Sequence, residues 1–254
     1  GVVLAIASHL YLDIFNGWVF PFSIFSPVYP KGTVIYEVLE DINNPKLLVH
    51  EMKRLELFFT YFGGKWRIAK HYPFPVHDVL IEPFAGSAGY SLHYPEKRVL
   101  LFDKDPIICG VWDYLIRSKE SEILRLPLVI TDVREMALPQ EAKWLIGFWL
   151  NKGNVSPCNI PGKWMRDNWR PNSFWGEAIR GRIASQLQFI RHWKIANKSY
   201  NEVENQKASW FIDPPYQISG VRYRFNKIDF SDLGSWCMER IGQVVVCEQD
   251  GAEW

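Results

Sequence analysis

The clearest chemical reading in this 254-residue chain belongs to "DPPY", Asp213-Pro214-Pro215-Tyr216, which follows the apolar run "ASWFI" (208 to 212). Two prolines in succession stop a strand and hold the neighbouring carbonyls in set directions, because each ring fixes φ and removes a backbone donor. A carboxylate, a rigid carbonyl and an aromatic ring together suit one reaction in particular. The exocyclic amino group of adenine or cytosine is a poor nucleophile, since its lone pair is delocalised into the ring. Hydrogen-bond acceptors on its N–H groups favour a pyramidal nitrogen and free that pair. The Asp213 carboxylate and the Pro214 carbonyl are candidates for those acceptors, with Pro215 stiffening the turn and Tyr216 stacking on the base. A duplex hides the amino group, so the base must be flipped out. Catalysis is then mostly positioning for in-line attack on a methyl group, with no covalent intermediate. The plain alternative is that Asp-Pro-Pro is only a turn.

A second group of residues speaks to the methyl donor. "IEPFAGSAGYS" (81 to 91) ends an apolar run in a small-residue turn. It lacks the Lys-Ser/Thr of a P-loop and is not a full G-x-G-x-x-G, so it suits a nucleoside that approaches the backbone closely and carries no pyrophosphate. The next apolar run ends in "LFDKD" (101 to 105), placing Asp103 about twenty residues on, where an acid commonly accepts hydrogen bonds from ribose hydroxyls. A small loop and a ribose acid without a pyrophosphate site point to S-adenosylmethionine rather than a dinucleotide.

The elements that must position these residues alternate between strand and helix. Strands are expected at the head of 78–94 and of 97–118, over 126–135 (closed by Thr131 and Asp132), over 208–216 and at 243–248, separated by helix-length segments such as the one carrying Ile107, Val111 and Leu115. That alternation implies right-handed βαβ units and a largely parallel sheet, in which ligands bind at the carboxyl ends of strands. The Gly/Ser turn, Asp103, Asp132 and Asp213 all stand at such ends.

Between the third and fourth expected strands lies a segment too long for a simple crossover. Residues 152–198 hold nine Lys/Arg against two acids, with Trp164, Trp169, Trp175 and Trp193 interleaved, in a chain of net charge only +1. Basic groups neutralise phosphates and flat aromatics stack on bases, so this segment is the expected nucleic-acid interface. The alternative is a solvated helical face over core tryptophans.

The remaining composition sets bounds. The near-zero net charge advertises no partner by itself. The four cysteines, Cys109, Cys158, Cys237 and Cys247, show neither metal-site spacing nor a disulfide framework. That fits a reducing, cytoplasmic compartment and no metal. Residues 1–30 carry a single formal charge, Asp13, and make neither a signal peptide nor a membrane span, because the basic n-region is missing and His9, Asp13, Asn16, Pro21 and Pro27 interrupt the apolar run. Residues 1–51 are read as an appendage, or as sequence upstream of a start at Met52.

Taken together, these motifs resemble the Dam-type DNA adenine-N6 methyltransferases. "YFGGKWR" (61 to 67) is similar to that family's first motif, "EPFAGS" (82 to 87) to its cofactor loop, "LFDKD" to its ribose-binding acid and "DPPY" to its catalytic motif. The likeness covers residues 55–250. It implies a Rossmann-like α/β sheet of the class I S-adenosylmethionine-dependent type with an inserted, basic, helical target-recognition region. The divisions would be a cofactor-binding part (52–135), the recognition region (136–205) and a catalytic part (206–254). It also implies Tyr61, Phe62, Gly63, Gly64 and Lys65 around the methionine end of the cofactor. Glu82, Pro83, Phe84, Ala85, Gly86 and Ser87 would shape the loop, Asp103 would hold the ribose, and Asp132 would lie near the adenine. Lys163, Arg166, Arg170, Arg180 and Arg182 would face double-stranded DNA. The implied enzyme is a monomer in a bacterial or phage-infected cell. The chain departs from the pattern at Ala88, where the family often has a second glycine, and it is expected to stop short of the family's last pair of strands.

The same acceptors would serve cytosine N4, which stays open. Methylation at cytosine C5 is disfavoured on the expectation that its Pro-Cys nucleophile is absent. An RNA or protein-glutamine methyltransferase usually carries Asn in place of Asp213. A truncated relative that binds DNA or cofactor without turnover is the reading from a different class.

Overall fold

The computed structural model describes residues 2–7 and 54–254, which fall within one compact unit. Of the expected N-terminal appendage, only 2–7 are therefore described, and for these the backbone alone.

Six strands form one sheet: β1 (Val2–Ala7), β2 (Val79–Glu82), β3 (Arg98–Asp103), β4 (Lys194–Asn197), β5 (Ala208–Ile212) and β6 (Gly242–Glu248). Their spatial order is β1-β6-β5-β2-β3-β4 and every pairing is parallel. A parallel sheet covered on both faces demands strands that are apolar throughout rather than alternating. The central strands meet that demand: all five residues of β5 are buried, as are Leu80, Ile81 and Glu82 of β2. From β2 the chain runs outward through β3 to β4, then returns to the other side of β2 for β5 and β6. The reversal leaves the carboxyl ends of β2 and β5 side by side, which is where ligands bind in open α/β sheets. Counted from β2, the order is third-second-first-fourth-fifth. This is the Rossmann-like arrangement of class I S-adenosylmethionine-dependent methyltransferases, with a helical insertion between β3 and β4. The N-terminal strand adds to its edge along β6, Val2 opposite Gln243 through Ala7 opposite Glu248.

Helix α1 (Pro106–Arg117) follows β3 directly. Asp105 caps it by accepting from the Ile107 N–H, and Pro106 occupies the first turn, where no donor is needed. Ile108, Val111, Trp112 and Leu115 recur at helical spacing and are buried. Trp112 is the hub of this layer. It meets Phe58 and Phe59 edge-on, lies 5.7 Å from Trp193, and donates its indole N–H to the Gly86 carbonyl at 2.8 Å. The helix that packs beneath the sheet thus also fixes the turn after β2.

One expected strand is corrected. Residues 126–132 are irregular, and Val133–Glu135 is a single 3-10 turn capped by Asp132. Pro127 has no N–H for a ladder, and Val129 is 82 % exposed, so this run has no buried sheet to join. The third strand counted from β2 is instead β4, "KIAN", from within the basic segment. It is a short edge strand with no residue fully buried, and only its pairing with β3, Leu100 opposite Lys194 through Asp103 opposite Asn197, makes it a strand.

The insertion contains α2 (Glu120–Leu124), α3 (Gln140–Trp149), α4 (Lys163–Asp167) and α5 (Glu177–Gln186); α6 (Phe230–Met238) precedes β6. Trp175 and Trp193 belong to the core, while Trp164 and Trp169 are 50 % and 53 % exposed. Among the described residues no helix is long and apolar enough to cross a membrane.

Candidate active site

The carboxyl ends of β2, β3, β4 and β5 open onto one cavity with about 880 Å³ of empty space, part of it open solvent. Five stretches line it: residues 61–65, 82–87, 103–105, 198–200, and Asp213 with Pro215; residues 223–225, 227 and 228 cover it. Gly63 stands at φ +71°, and a β-carbon there would lie 2.3 Å from the Tyr223 hydroxyl, so only glycine admits the covering segment at this point. Tyr223 in turn donates to the Phe62 carbonyl at 3.0 Å. The loop at 61–65 and the turn after β2 cross closely, since a β-carbon on Gly89 would meet the Trp66 nitrogen at 2.5 Å.

At one end of the cavity Lys65, only 7 % exposed, places its ammonium 2.8 Å from Asp213 Oδ2 and 2.7 Å from Oδ1, and donates to the Gly63 carbonyl at 2.8 Å. Burial disfavours both charges. It pushes the Asp213 carboxyl up, opposed by the Lys65 ammonium and the Tyr216 hydroxyl. For Lys65 burial is the largest influence and works downward, but Asp213, Tyr216 and Cys247 together outweigh it and hold the lysine above its usual range. Both oxygens within hydrogen-bonding distance of one ammonium make this an ion pair at neutral pH. Tyr216 lies on the far side of Lys65, with Nζ 4.9 Å from the ring centroid; neither it nor Pro214 lines the cavity.

Beside that pair is Glu82, 2 % exposed, accepting one hydrogen bond from the Ser91 N–H at 2.7 Å. Burial raises its carboxyl to about 8, against the Ser91 bonds that lower it. At the other end Asp103 Oδ2 accepts from Gly86 N at 2.9 Å and Oδ1 from Asp105 N at 2.8 Å, and burial raises this carboxyl to about 6. The Lys104 N–H bears on it too, and three donors on a carboxylate with about four acceptor sites still leave capacity for a ligand hydroxyl. Phe84 stacks on Tyr200 at 5.5 Å, and Tyr200 is held by Asp232 on α6 at 2.6 Å.

No family model and no curated protein matches this chain. The fold supplies the broad assignment, a methyltransferase-like protein with a potential S-adenosylmethionine site, and the cavity's chemistry bears on the fit. A nucleoside with an amino-acid tail offers ribose hydroxyls, an aromatic base and an ammonium. Acceptors at Asp103, flat rings at Phe84 and Tyr200, and acids at Glu82 and Asp213 complement those groups. Ser87 Oγ is buried on the cavity wall without a hydrogen bond, a vacancy for a ligand donor or acceptor. Among the described residues no three His, Cys, Asp or Glu are grouped to hold a metal ion.

The cavity gathers every residue expected around a cofactor except Asp132, whose carboxylate is instead engaged by Arg134 at the capped 3-10 turn. The strand-end place expected for Asp132 is taken by Lys198, Ser199 and Tyr200, which follow β4. The covering segment is not marked in the sequence; in the structure Gly220 lets it pass close to DPPY, since a β-carbon there would lie 2.7 Å from the Pro215 carbonyl carbon. Of the cations assigned to DNA, Lys163, Arg166 and Arg170 are exposed. Arg180 donates to the Leu126 carbonyl, and Arg182 donates to the Leu57 carbonyl and lies over Trp149, so these two are packing groups. A Pro-Cys pair does exist, Pro157-Cys158, which corrects the expectation of none. It lies outside the cavity, its sulfur accepts from Asn154, and burial pushes the thiol up, away from a nucleophilic thiolate.

Proposed function

We propose that this protein methylates an exocyclic amino group in double-stranded DNA, adenine N6 in the first instance, using S-adenosylmethionine. The observation that carries the reading is the half-buried Asp213 carboxylate at the end of β5, beside a proline-fixed carbonyl and at the edge of the nucleoside cavity. When bound, S-adenosylmethionine supplies an electrophilic methyl on a sulfonium. Asp103 would accept from its ribose, Phe84 and Tyr200 would flank its base, and Glu82 would face its amino-acid end. Asp213 and the Pro214 carbonyl would accept from the target amino group, and Tyr216 would cover the ring. Since Lys65 already bonds to Asp213, the amino group must share the carboxylate or displace the ammonium from one oxygen. The exposed Lys163, Arg166 and Arg170, with Trp164 and Trp169 among them, support a nucleic-acid partner.

The test is methyl transfer from labelled S-adenosylmethionine to unmethylated duplex DNA, then digestion and nucleoside mass spectrometry, with Asp213→Ala as control. N6-methyladenine that disappears in the control supports the proposal. N4-methylcytosine would keep the chemistry and change the base. Cofactor binding with no methylated nucleoside would overturn the assignment to DNA methylation.

A further inference from the structure

The Lys65 end of the cavity holds two acids and one cation. The cation is engaged elsewhere: its short contacts go to both oxygens of Asp213, with a hydrogen bond to Oδ2, and to the Gly63 carbonyl. It makes no hydrogen bond to Glu82, and its longer-range pull on that carboxyl is opposed by the push of Asp213. The one distance-defined partner of Glu82 is the Ser91 N–H, and the Ser91 hydroxyl, buried and otherwise without a partner, stands beside it. The groups facing Glu82 from the surrounding elements are Lys65, Asp213, Tyr90 from the turn after β2, and Cys247 from β6. Burial pushes both the Tyr90 hydroxyl and the Cys247 thiol up, so neither carries charge at neutral pH. Lys65 and Asp213 cancel. Glu82 therefore lines the cavity as a buried acid with no counter-ion of its own.

We infer that Glu82 is protonated in the free protein and ionises when the ammonium of a ligand's zwitterionic amino-acid group enters this end of the cavity, so that binding releases a proton. The inference rests on the proposed cofactor site. The step is a simple ionisation: the Glu82 O–H bond breaks heterolytically, the proton passes to solvent buffer, and the carboxylate left behind is balanced by the ligand's ammonium. Its consequence is selectivity for the charged amino-acid tail over the bare nucleoside. A nucleoside leaves Glu82 neutral and gains nothing from it. The raised Glu82 carboxyl, near 8, agrees with the protonated starting state.

Calorimetric titration at pH 7 in phosphate and in Tris, whose protonation enthalpies differ, counts the protons exchanged on binding. Three probes separate the contributions: S-adenosylmethionine, S-adenosylhomocysteine and 5′-methylthioadenosine, which shares the nucleoside and lacks the amino-acid group. The expected result is release of about one proton for the first two, following the protonated fraction of a group near 8, and much less for the third. Glu82→Gln should bind without release. Tight binding of S-adenosylmethionine with no buffer dependence overturns the inference and leaves the cofactor site standing, as does equal release with 5′-methylthioadenosine. If none of the three binds, the cofactor reading itself falls and the inference with it. The three-ligand comparison uses the unaltered protein, so it decides the matter even if Glu82→Gln fails to fold.

Discussion

Lys65 and Asp213, 148 residues apart in the chain, meet with Nζ 2.8 Å from Oδ2, and this pair joins the loop at 61–65 to the end of β5. A buried ion pair is weak support for stability as a pair, but removing one partner leaves an uncompensated charge, which typically costs about 3–5 kcal/mol, the lower end applying here because the Asp213 side chain is 19 % exposed. Lys65→Met should therefore destabilise the protein by about 3 kcal/mol in urea denaturation and push the Asp213 carboxyl further up. The double change Lys65→Met/Asp213→Leu should recover most of that stability, with methyl transfer absent in both variants. Equal destabilisation in single and double variants would show that packing, not charge, dominates here.

Glu82 gives a pH dependence of definite sign. Its carboxyl is raised to about 8 in the folded protein from an ordinary 4.5, so the stability it contributes is full below 4.5 and is lost as pH rises through 8. Across that window the unfolded chain has already lost the proton that the native state keeps, and stability falls with pH by at most about 1.4 kcal/mol per unit. Urea midpoints at pH 5, 6.5 and 8 should decline in the unaltered, ligand-free protein. Glu82→Gln should flatten this decline and be the more stable protein at pH 8. A variant that keeps the full decline would place its origin elsewhere, with Asp103 the next group to examine.

Ala88 stands at φ +50°, the one non-glycine residue with positive φ among those described. The left-handed conformation costs an L-residue about 1–2 kcal/mol. Glycine removes that strain but brings about 0.5–1 kcal/mol of chain entropy and gives up a fully buried methyl worth about 0.8 kcal/mol. These terms nearly cancel, so Ala88→Gly should leave the melting temperature almost unchanged. Ala88→Val should cost about 1–3 kcal/mol, because a β-branched residue is poorly tolerated at positive φ, and should weaken S-adenosylmethionine binding through the turn that Gly86 shares with Asp103. Indifference to valine would mean the turn relaxes freely.

How far the sequence carried is seen best in particular elements. β2, β3, β5 and β6 are buried on both faces and so advertise themselves as apolar runs. β4 does not, because an edge strand pairs on one side and "KIAN" carries no apolar run; its place is a tertiary fact. The error over Asp132 follows from that one, since misplacing the strand misplaces its end. DPPY, GGK and EPFAGS were legible because each needs particular residue types at fixed spacing. The segment at 220–229 was not, because what it covers depends on Tyr223 reaching Phe62, 161 residues away. Charge announced the insertion but not the direction in which each arginine points.

That last distinction yields the final prediction. Arg166 and Arg170 are exposed, whereas Arg180 and Arg182 are half-buried, donate to the backbone of other segments, and have Nε atoms with no partner. Hydrogen bonds from charged groups contribute about 1.5–3 kcal/mol each, so Arg180→Ala and Arg182→Ala should lower stability by about 1–3 kcal/mol. The salt dependence of DNA binding should stay as it was. Arg166→Ala and Arg170→Ala should leave the melting temperature within a degree or so, since exposed substitutions rarely exceed about 0.5 kcal/mol. Each should reduce the slope of log affinity against log salt by about 0.9 if it meets one phosphate. Fluorescence anisotropy across a salt series, paired with thermal melts, reads both quantities on the same four variants. A lowered slope in Arg180→Ala at unchanged stability would return that residue to the DNA surface.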